Sequence, residues 1–322
     1  MSTTFILGAG FSVAERFPLV RGLKELVIES IRNVQHPLDE AALRPGRGFK
    51  YGEFDEGLKL ADPDGTLGFE EVLIALRRAR AHARTDDPRH RTELALKAGC
   101  ARILWQRHKS VSKISRCYET FAQQFFKSAD QRRNAVISFN WDILLERSLC
   151  DLNVPWKYHL WGAGVVPVLK PHGSINWNSY RQTGSRCEYP GWTPIAPNSD
   201  ISFDELRPLL DPDPQEVSRD LRFMLYPGDP ELPKQNRDLG LVWSDVEEAL
   251  ETRDEILFIG YSLPEYDSYA TSVFQKFADS KLISVYNPSP EHLERFHAVF
   301  SNQVRLFAQT FEESPYGRPS AK

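Results

Sequence analysis

The residues best suited to chemistry follow two short apolar runs near the middle of the chain. Ala135–Ser138 leads into Asn140 and Asp142, and Val165–Leu169 leads into His172. Open α/β sheets bind ligands at the carboxyl ends of their strands, which is where these three polar side chains would lie. A histidine at that edge can exchange a proton near neutral pH. A lone histidine is often structural, and Asp142 could simply cap the next helix, but a cap leaves Asn140 and its aromatic neighbours unexplained.

A glycine turn near the amino terminus has the form of a phosphate-binding loop. The apolar run Thr3–Leu7 ends there, and an amphipathic helix is predicted over 21–34. Two glycines let the backbone come close to a phosphate, and the next amides can point at it from a helix N-terminus. Val13 stands where the dinucleotide fingerprint has its third glycine, so an ordinary β–α turn is a second interpretation. The turn itself reads Gly8-Ala9-Gly10-Phe11-Ser12.

Two later apolar runs also end in residues that can bind a nucleotide. Glu255–Ile259 is followed by Gly260 and Ser262, and Leu282–Tyr286 is followed by Asn287. A small hydroxyl after a glycine turn can contact a phosphate or a ribose. Each of these residues alone would be an ordinary turn residue, so they indicate a nucleotide site only together with the residues at the other strand ends.

The apolar runs are continuous rather than alternating, which is typical of strands buried on both faces of a parallel sheet. The sequence therefore predicts an α/β protein with a Rossmann-like, mostly parallel sheet, organised as a single domain over residues 1–322. The predicted strands are 3–7, 135–138, 165–169, 255–259, 282–286 and 304–307, and the predicted helices are 21–34, 142–150, 241–252, 268–278 and 290–300.

Two stretches interrupt this alternation. Residues 36–128 are interpreted as an inserted helical module, loop-rich over 36–66 because of its prolines and glycines and helical over 67–128. Residues 178–233, rich in Pro, Gly and Asp, are interpreted as an irregular excursion near the pocket. Arginines cluster between Arg77 and Arg91. This predicted arginine-rich helix over 77–91 is either an anion, nucleic-acid or partner-protein surface or an ordinary solvated face.

Composition narrows the class of protein. With 41% hydrophobic and 26% charged residues, the chain is expected to be a soluble globular protein. Its 40 basic and 44 acidic residues argue against a dedicated nucleic-acid binder. No apolar run reaches the roughly 18 residues of a membrane span. The cysteines, at positions 100, 117, 150 and 187, form no C-x-x-C pair. We therefore expect no zinc ribbon, and reduced thiols in a cytoplasmic protein.

In this order and spacing, the strand ends resemble a sirtuin-like domain. G-A-G-x-S followed by P-x-x-R, which ends at Arg21, is similar to the opening of sirtuin-like NAD-consuming domains, and F-N-W-D resembles the sirtuin T-Q-N-I-D. The H-G pair at His172 and the later Asn287 also match. G-Y-S-L-P-x-x-D, which ends at Asp267, is closer to the prokaryotic sirtuin-like family. The resemblance runs from Thr3 to about Phe311 and favours the NAD-cleaving type found in antiviral defence systems.

The resemblance implies that NAD is the substrate and that nicotinamide is released from it. The Gly8–Ser12 turn and Arg21 would fix the pyrophosphate, and Asn287 would bind the adenosine ribose. Asn140 would orient a water or the nicotinamide ribose, Asp142 would hold the nicotinamide carboxamide, and His172 would take a proton. Such an enzyme would be the effector of an abortive-infection system against phage. Its basal activity would be low until a partner protein, a nucleic acid or self-assembly raised it.

Two departures leave other functions open. The zinc-ribbon cysteines that follow the H-G pair in protein-deacylating sirtuins are absent, and Trp141 and Tyr261 replace smaller residues of the deacylase motifs. Protein deacylation is therefore in doubt, whereas NAD binding and cleavage are not affected. An NAD-dependent protein deacylase and a non-enzymatic nucleotide-binding subunit of a defence complex are the alternatives.

Overall fold

The computed structural model describes residues 2–32, 51–80, 87–128, 130–160, 162, 164–175, 237–301 and 304–318. These residues contain a seven-stranded sheet in which each strand runs parallel to its neighbours. Its strands are β1 Thr3–Leu7, β2 Ala135–Ser138, β3 Trp156–Lys157, β4 Val166–Leu169, β5 Glu255–Ile259, β6 Leu282–Tyr286 and β7 Val304–Phe307. Their spatial order is β3-β4-β2-β1-β5-β6-β7.

The predicted α/β fold with a parallel sheet is confirmed. β1 lies at the centre, pairing with β2 through Phe5 and Val136 and with β5 through Phe5 and Leu257. The central strands are buried, as their continuous apolar runs predicted. β3 was not predicted, because a two-residue edge strand leaves no apolar run in the sequence.

Helices connect the strands. They are α1 Val20–Arg32, α2 Tyr51–Ala61, α3 Phe69–Arg80, α4 Pro88–Ser110, α5 Arg116–Phe126, α6 Leu144–Asp151, α7 Arg237–Thr252, α8 Ser268–Ala278 and α9 Pro290–Phe300. Among the described residues, no helix is long and apolar enough to cross a membrane. The predicted excursion over 178–233 lies outside the described residues, as do residues 36–50 and 81–86 of the predicted helical module.

The interpretation of 36–66 as loop-rich is wrong over α2. Its glycines disguise the helix, but Gly57 has a packing reason. A Cβ there would lie 2.2 Å from the Thr92 hydroxyl and 2.9 Å from the Pro88 carbonyl oxygen of α4. The missing side chain thus lets α2 lie close against α4, and Phe54 is fully buried beside this contact. Tertiary packing outweighs the low helix propensity of glycine here.

An aromatic cluster joins α5 to the central strand of the sheet. Phe5 of β1 and Phe11, just beyond it, both pack edge-on against Phe121 of α5, with ring centroids 5.0 and 5.3 Å apart. Phe311, near the end of the described chain, lies over Phe11 at 4.2 Å. Aromatic pairs of this kind each stabilise a core by roughly 0.5–1.5 kcal/mol beyond burial alone. The cluster therefore fixes the segment that follows β1.

Candidate functional site

The strand order places a ligand crevice at the carboxyl end of β1. From β1 the chain continues to β2 on one side and later returns to β5 on the other. Open α/β sheets bind ligands at such a switch point, outside the carboxyl ends of the strands. All five predicted strand ends lie along this edge, on adjacent strands in the order β4, β2, β1, β5, β6.

The turns after β1 and β5 pack backbone against backbone. A Cβ on Gly8 would lie 2.4 Å from the Tyr261 Cα, and one on Gly10 would lie 2.7 Å from the Gly260 Cα. Gly260 itself has φ +62°, and its own Cβ would meet the Gly10 carbonyl carbon at 2.5 Å. Glycine is required at these three positions so that the two turns can touch. The sequence suggested that these glycines let a phosphate come close to the backbone. In the structure, the atoms that come close to Gly8 and Gly10 are backbone atoms of Gly260 and Tyr261.

The amides of the Gly8–Ser12 turn donate mostly to carbonyls. The amide of Gly10 donates to the Gly260 carbonyl at 3.0 Å, and those of Phe11 and Ser12 donate to Gly8 and Ala9 at 2.8 and 3.1 Å. The turn continues as 3₁₀ segments over Ala9–Phe11 and Val13–Glu15, and α1 begins only at Val20. These amides therefore do not form the N-terminus of an α-helix. Phosphate binding by this turn stays a prediction.

Asn140, Ser12 and Asp142 form one buried hydrogen-bonded cluster. The Asn140 amide donates to the Gly8 carbonyl at 2.9 Å and to the Ser12 hydroxyl at 3.0 Å. That hydroxyl donates to Asp142 Oδ2 at 2.7 Å. Asp142 Oδ1 also accepts from the Leu144 amide at 3.1 Å, which is the first amide of α6. The cluster ties the end of β2 to the turn after β1 and holds a carboxylate and an amide together at the switch point.

His172 belongs to a second cluster, built from the end of β4 and the loop after β5. Its Nε2 lies 3.0 Å from Asp267 Oδ2, at ion-pair distance but without hydrogen-bond geometry. The Tyr261 hydroxyl donates to the same oxygen at 3.1 Å. The ring packs edge-on against Phe139, with centroids 4.6 Å apart. A carboxylate beside a buried imidazole can orient the ring and stabilise the charge it gains when it takes up a proton.

Lys170 connects the two clusters. Its side chain is fully buried, and its ammonium donates to the Asp142 carbonyl, to Glu146 Oε1 at 3.0 Å and to the Ser174 hydroxyl at 2.8 Å. A buried ammonium is tolerated only when it is paired and hydrogen-bonded in this way. Trp141 adds a second link, because its indole donates to the His172 carbonyl at 2.8 Å. The segments that carry Asn140 and His172 are therefore held together.

The other predicted site residues are placed as follows. The Asn287 side chain donates to the Tyr261 carbonyl at 2.9 Å and accepts from the Ser289 amide at 3.0 Å, so it links β6 to the loop after β5. Ser262 lies half-buried in that loop, and its carbonyl accepts from Arg295 at 3.3 Å. Arg21 is the second residue of α1, and its side chain lies outside the described part of the structure. Ribose and phosphate contacts from these residues stay predictions.

The sequence predicted no role for two residues of the site, Lys170 and Tyr118. Lys170 directly precedes Pro171 and His172, and a lysine closing an apolar run was the available signal. Tyr118 of α5 donates to the Phe11 carbonyl at 2.9 Å, and burial raises the pKa of its hydroxyl well above the usual value. No sequence pattern predicts that Tyr118 contacts the turn after β1, because this contact depends on how α5 packs against the sheet.

The predicted arginine-rich helix over 77–91 is not one helix. α3 ends at Arg80 and α4 begins at Pro88, with 81–86 outside the described residues. Asp87 caps α4, and its carboxylate also pairs with the Arg89 guanidinium at 2.7 Å. Aspartate followed by proline is a strong helix start, so those arginines of the cluster that the structure describes are divided between two helix ends.

Among the described residues, no group of three or more His, Cys, Asp or Glu side chains is placed to hold a metal ion. Cys100, Cys117 and Cys150 are buried free thiols. Burial raises the pKa of each, to about 12 for Cys150, so the thiol form is favoured.

Comparison with known proteins gives structural likenesses only. No family model matches the chain, and no curated protein matches it. One similar solved structure is a Sir2 variant with a deacetylated p53 peptide and 3′-O-acetyl ADP ribose, at 11% identity and TM-score 0.40, covering 96% of this chain and 89% of that one. Another is Sir2Tm bound to a propionylated peptide, at 11% and 0.40, covering 97% and 89%. These values are too low to assign a family, so the fold rests on strand order and register.

Proposed function

We propose that this protein is a sirtuin-like NAD glycohydrolase, which cleaves NAD to nicotinamide and ADP-ribose. The observation that carries the proposal is the buried cluster of Asn140, Ser12 and Asp142 at the switch point. It brings together three polar residues that the sequence motifs had singled out from segments 128 residues apart. A crevice at this point of a parallel sheet is a usual place for a nucleotide.

The chemistry required is that of an N-glycosidic bond. The bond between the ribose C1′ and the nicotinamide nitrogen breaks, and nicotinamide leaves with the electron pair. The ribose passes through an oxocarbenium-like state, as in glycoside hydrolysis. Water then adds its oxygen to C1′, and its proton passes to a base before release to solvent. Positioning and electrostatic stabilisation supply most of the acceleration in such a site.

The described residues divide these tasks. Asn140 would orient the water or the nicotinamide ribose, and Asp142 would hold the carboxamide. His172 would accept the proton, with Asp267 3.0 Å from its Nε2 to stabilise the imidazolium. Ser12 bonds to both Asn140 and Asp142 in the structure, so a bound substrate would have to share or replace those bonds.

This mutual bonding also favours a second candidate, a non-enzymatic nucleotide-binding subunit. Ser12, Asn140 and Asn287 each already have protein partners, and a site held in that arrangement would bind or signal without turnover. An NAD-dependent protein deacylase is the third candidate.

One experiment separates the three. The purified full chain is incubated with NAD, alone or with an acyl-lysine peptide, and free nicotinamide and deacylated peptide are measured. Nicotinamide release without peptide supports the glycohydrolase. Release only with peptide, accompanied by deacylation, supports the deacylase. NAD binding by calorimetry without any release, with each partner tried, supports the binding subunit.

We further propose that the protein acts in the cytoplasm as the effector of a defence system against phage. Unrestrained NAD cleavage would poison the cell that makes it, so basal activity should be low and should rise with a partner protein, a nucleic acid or self-assembly. Expression in bacteria tests this: cellular NAD should stay normal until phage infection and then fall in the wild type but not in His172→Ala. A fall of NAD at all times would contradict the regulated role.

A further inference from the structure

The first turn of α3 reaches the histidine cluster from the helical stretch between α1 and β2. Phe69, the first residue of this helix, packs edge-on against Trp141 with ring centroids 6.0 Å apart. Trp141 in turn donates to the main-chain carbonyl of His172. A helix far from the strand ends in sequence therefore packs on a residue that is hydrogen-bonded to the backbone of the proposed base.

Glu70 is the residue that this docking brings inward. It is buried, and it accepts a hydrogen bond from the Tyr266 hydroxyl. Tyr266 immediately precedes Asp267, the carboxylate that lies 3.0 Å from His172 Nε2. Two buried carboxyl groups thus lie in the surroundings of one imidazole, one from α3 and one from the loop after β5.

The electrostatics of Glu70 are those of a site residue. Burial raises the pKa of its carboxyl and the negative charge of Asp267 adds to that rise, whereas the hydrogen bond from Tyr266 and the charge of a protonated imidazole at His172 would oppose it. A carboxylate so buried is costly unless a nearby charge or donor compensates it. A purely structural acceptor for Tyr266 would need no charge, since a neutral amide oxygen could accept the same hydrogen bond.

We propose that Glu70 is a positioning residue for His172, supplied by α3. It acts through the Tyr266–Asp267 segment, and with Asp267 it stabilises the positive charge that the ring gains on accepting a proton. This inference rests on the proposed function, because proton transfer to His172 is part of that reaction. It also makes α3 part of the site.

The ionisable groups around the ring come from three elements. α3 contributes Glu70, and the loop after β5 contributes two tyrosines and a carboxylate. The segment of His172 itself contributes an ammonium that is already paired with Glu146. These other groups are Tyr261, Tyr266, Asp267 and Lys170. Of the carboxyls, Glu70 is the one that an amide can replace without touching Asp267.

The test compares Glu70→Gln with Glu71→Gln in the full chain. Glutamine keeps an acceptor for Tyr266 but removes the charge. Glu71 is a matched control, since it is next along α3 and its carboxylate accepts from the Gly68 amide at 2.7 Å. The readouts are the pH profile of NAD cleavage, with kcat and KM, and the pH dependence of the His172 ring-proton NMR signal without NAD. The signal is assigned by its loss in His172→Gln.

Glu70→Gln should lower kcat about tenfold with KM for NAD within about twofold. The His172 ring signal should respond to pH differently from the wild type, because a charge that favours the protonated ring is lost. Glu71→Gln should match the wild type, and Glu70→Asp, which keeps the charge, should retain most of the wild-type pH dependence. An unshifted ring signal in folded Glu70→Gln overturns the inference. The ring signal decides this even in a protein that cleaves no NAD, an outcome that would refute the proposed function separately.

Discussion

Replacing Gly10 with alanine should destabilise the fold as well as the proposed phosphate turn. The new Cβ would lie 2.7 Å from the Gly260 Cα and 3.0 Å from its carbonyl oxygen, inside the 3.4–4 Å of ordinary contact. Both obstacles are backbone atoms, so no side chain can rotate away. Overpacking of this kind costs about 1–3 kcal/mol, and we expect the upper half of that range. At about 2 °C per kcal/mol, Tm should fall by roughly 4–6 °C.

Gly22→Ala is the matched control. Gly22 lies within α1, and a Cβ there would have no heavy atom within 4 Å. Alanine should therefore stabilise this helix by about 0.5–1 kcal/mol. The assay is thermal unfolding of wild type and both variants by calorimetry, followed by NAD titration at a temperature where all three are folded. The two substitutions should move Tm in opposite directions, and only Gly10→Ala should weaken NAD binding.

Two outcomes would refute this reasoning at different places. If Gly10→Ala melts with the wild type, the turns after β1 and β5 do not pack as described. If it is destabilised but binds NAD with unchanged affinity, the packing is correct and the turn is not the phosphate site.

Three further predictions concern the two clusters. His172→Ala should leave NAD affinity within a few-fold and lower turnover by about 10²–10⁴, with Asn140→Ala similar; wild-type nicotinamide release by either would remove that residue from the mechanism. Ser12→Ala should lower the free energy of unfolding, measured by urea denaturation, by about 1–3 kcal/mol, because it leaves a buried Asp142 oxygen without its donor. An unchanged urea midpoint would contradict the hydrogen bonding described for this cluster. Glu70, whose folded pKa is raised, contributes stability at low pH that is lost as pH rises above 4.5. Glu70→Gln should therefore gain in Tm relative to the wild type as pH rises above 4.5, and a difference that does not change with pH would count against this.

The five strands from β4 to β6 in the sheet were predictable because they are short, mainly apolar runs, each ended by glycine or by polar residues. The same reasoning found the ends of those strands, and the adjacency of Asn140 to the Gly8–Ser12 turn follows from the pairing of β1 with β2. Parallel strands present their carboxyl ends at one edge, so motifs at strand ends must converge.

The features that the sequence did not predict depend on packing between distant segments. α2 was missed because Gly57 serves a helix contact, which no local pattern shows. Glu70 was missed because the docking of α3 on Trp141 depends on the whole fold. The engagement of the turn amides was missed because their acceptors include Gly260, a residue of another strand end.

The position of β1 also has a consequence for how the chain matures on the ribosome. Of the seven described strands this one is synthesised first, yet its partner β5 begins at residue 255, and contacts such as Ser2 to Asp254 span 252 residues. Phe311, which covers Phe11, is later still. Pairings so distant are formed late and slowly. The crevice cannot assemble until nearly all of the described chain has emerged, so a truncated nascent chain would expose an unpaired central strand and have no completed site.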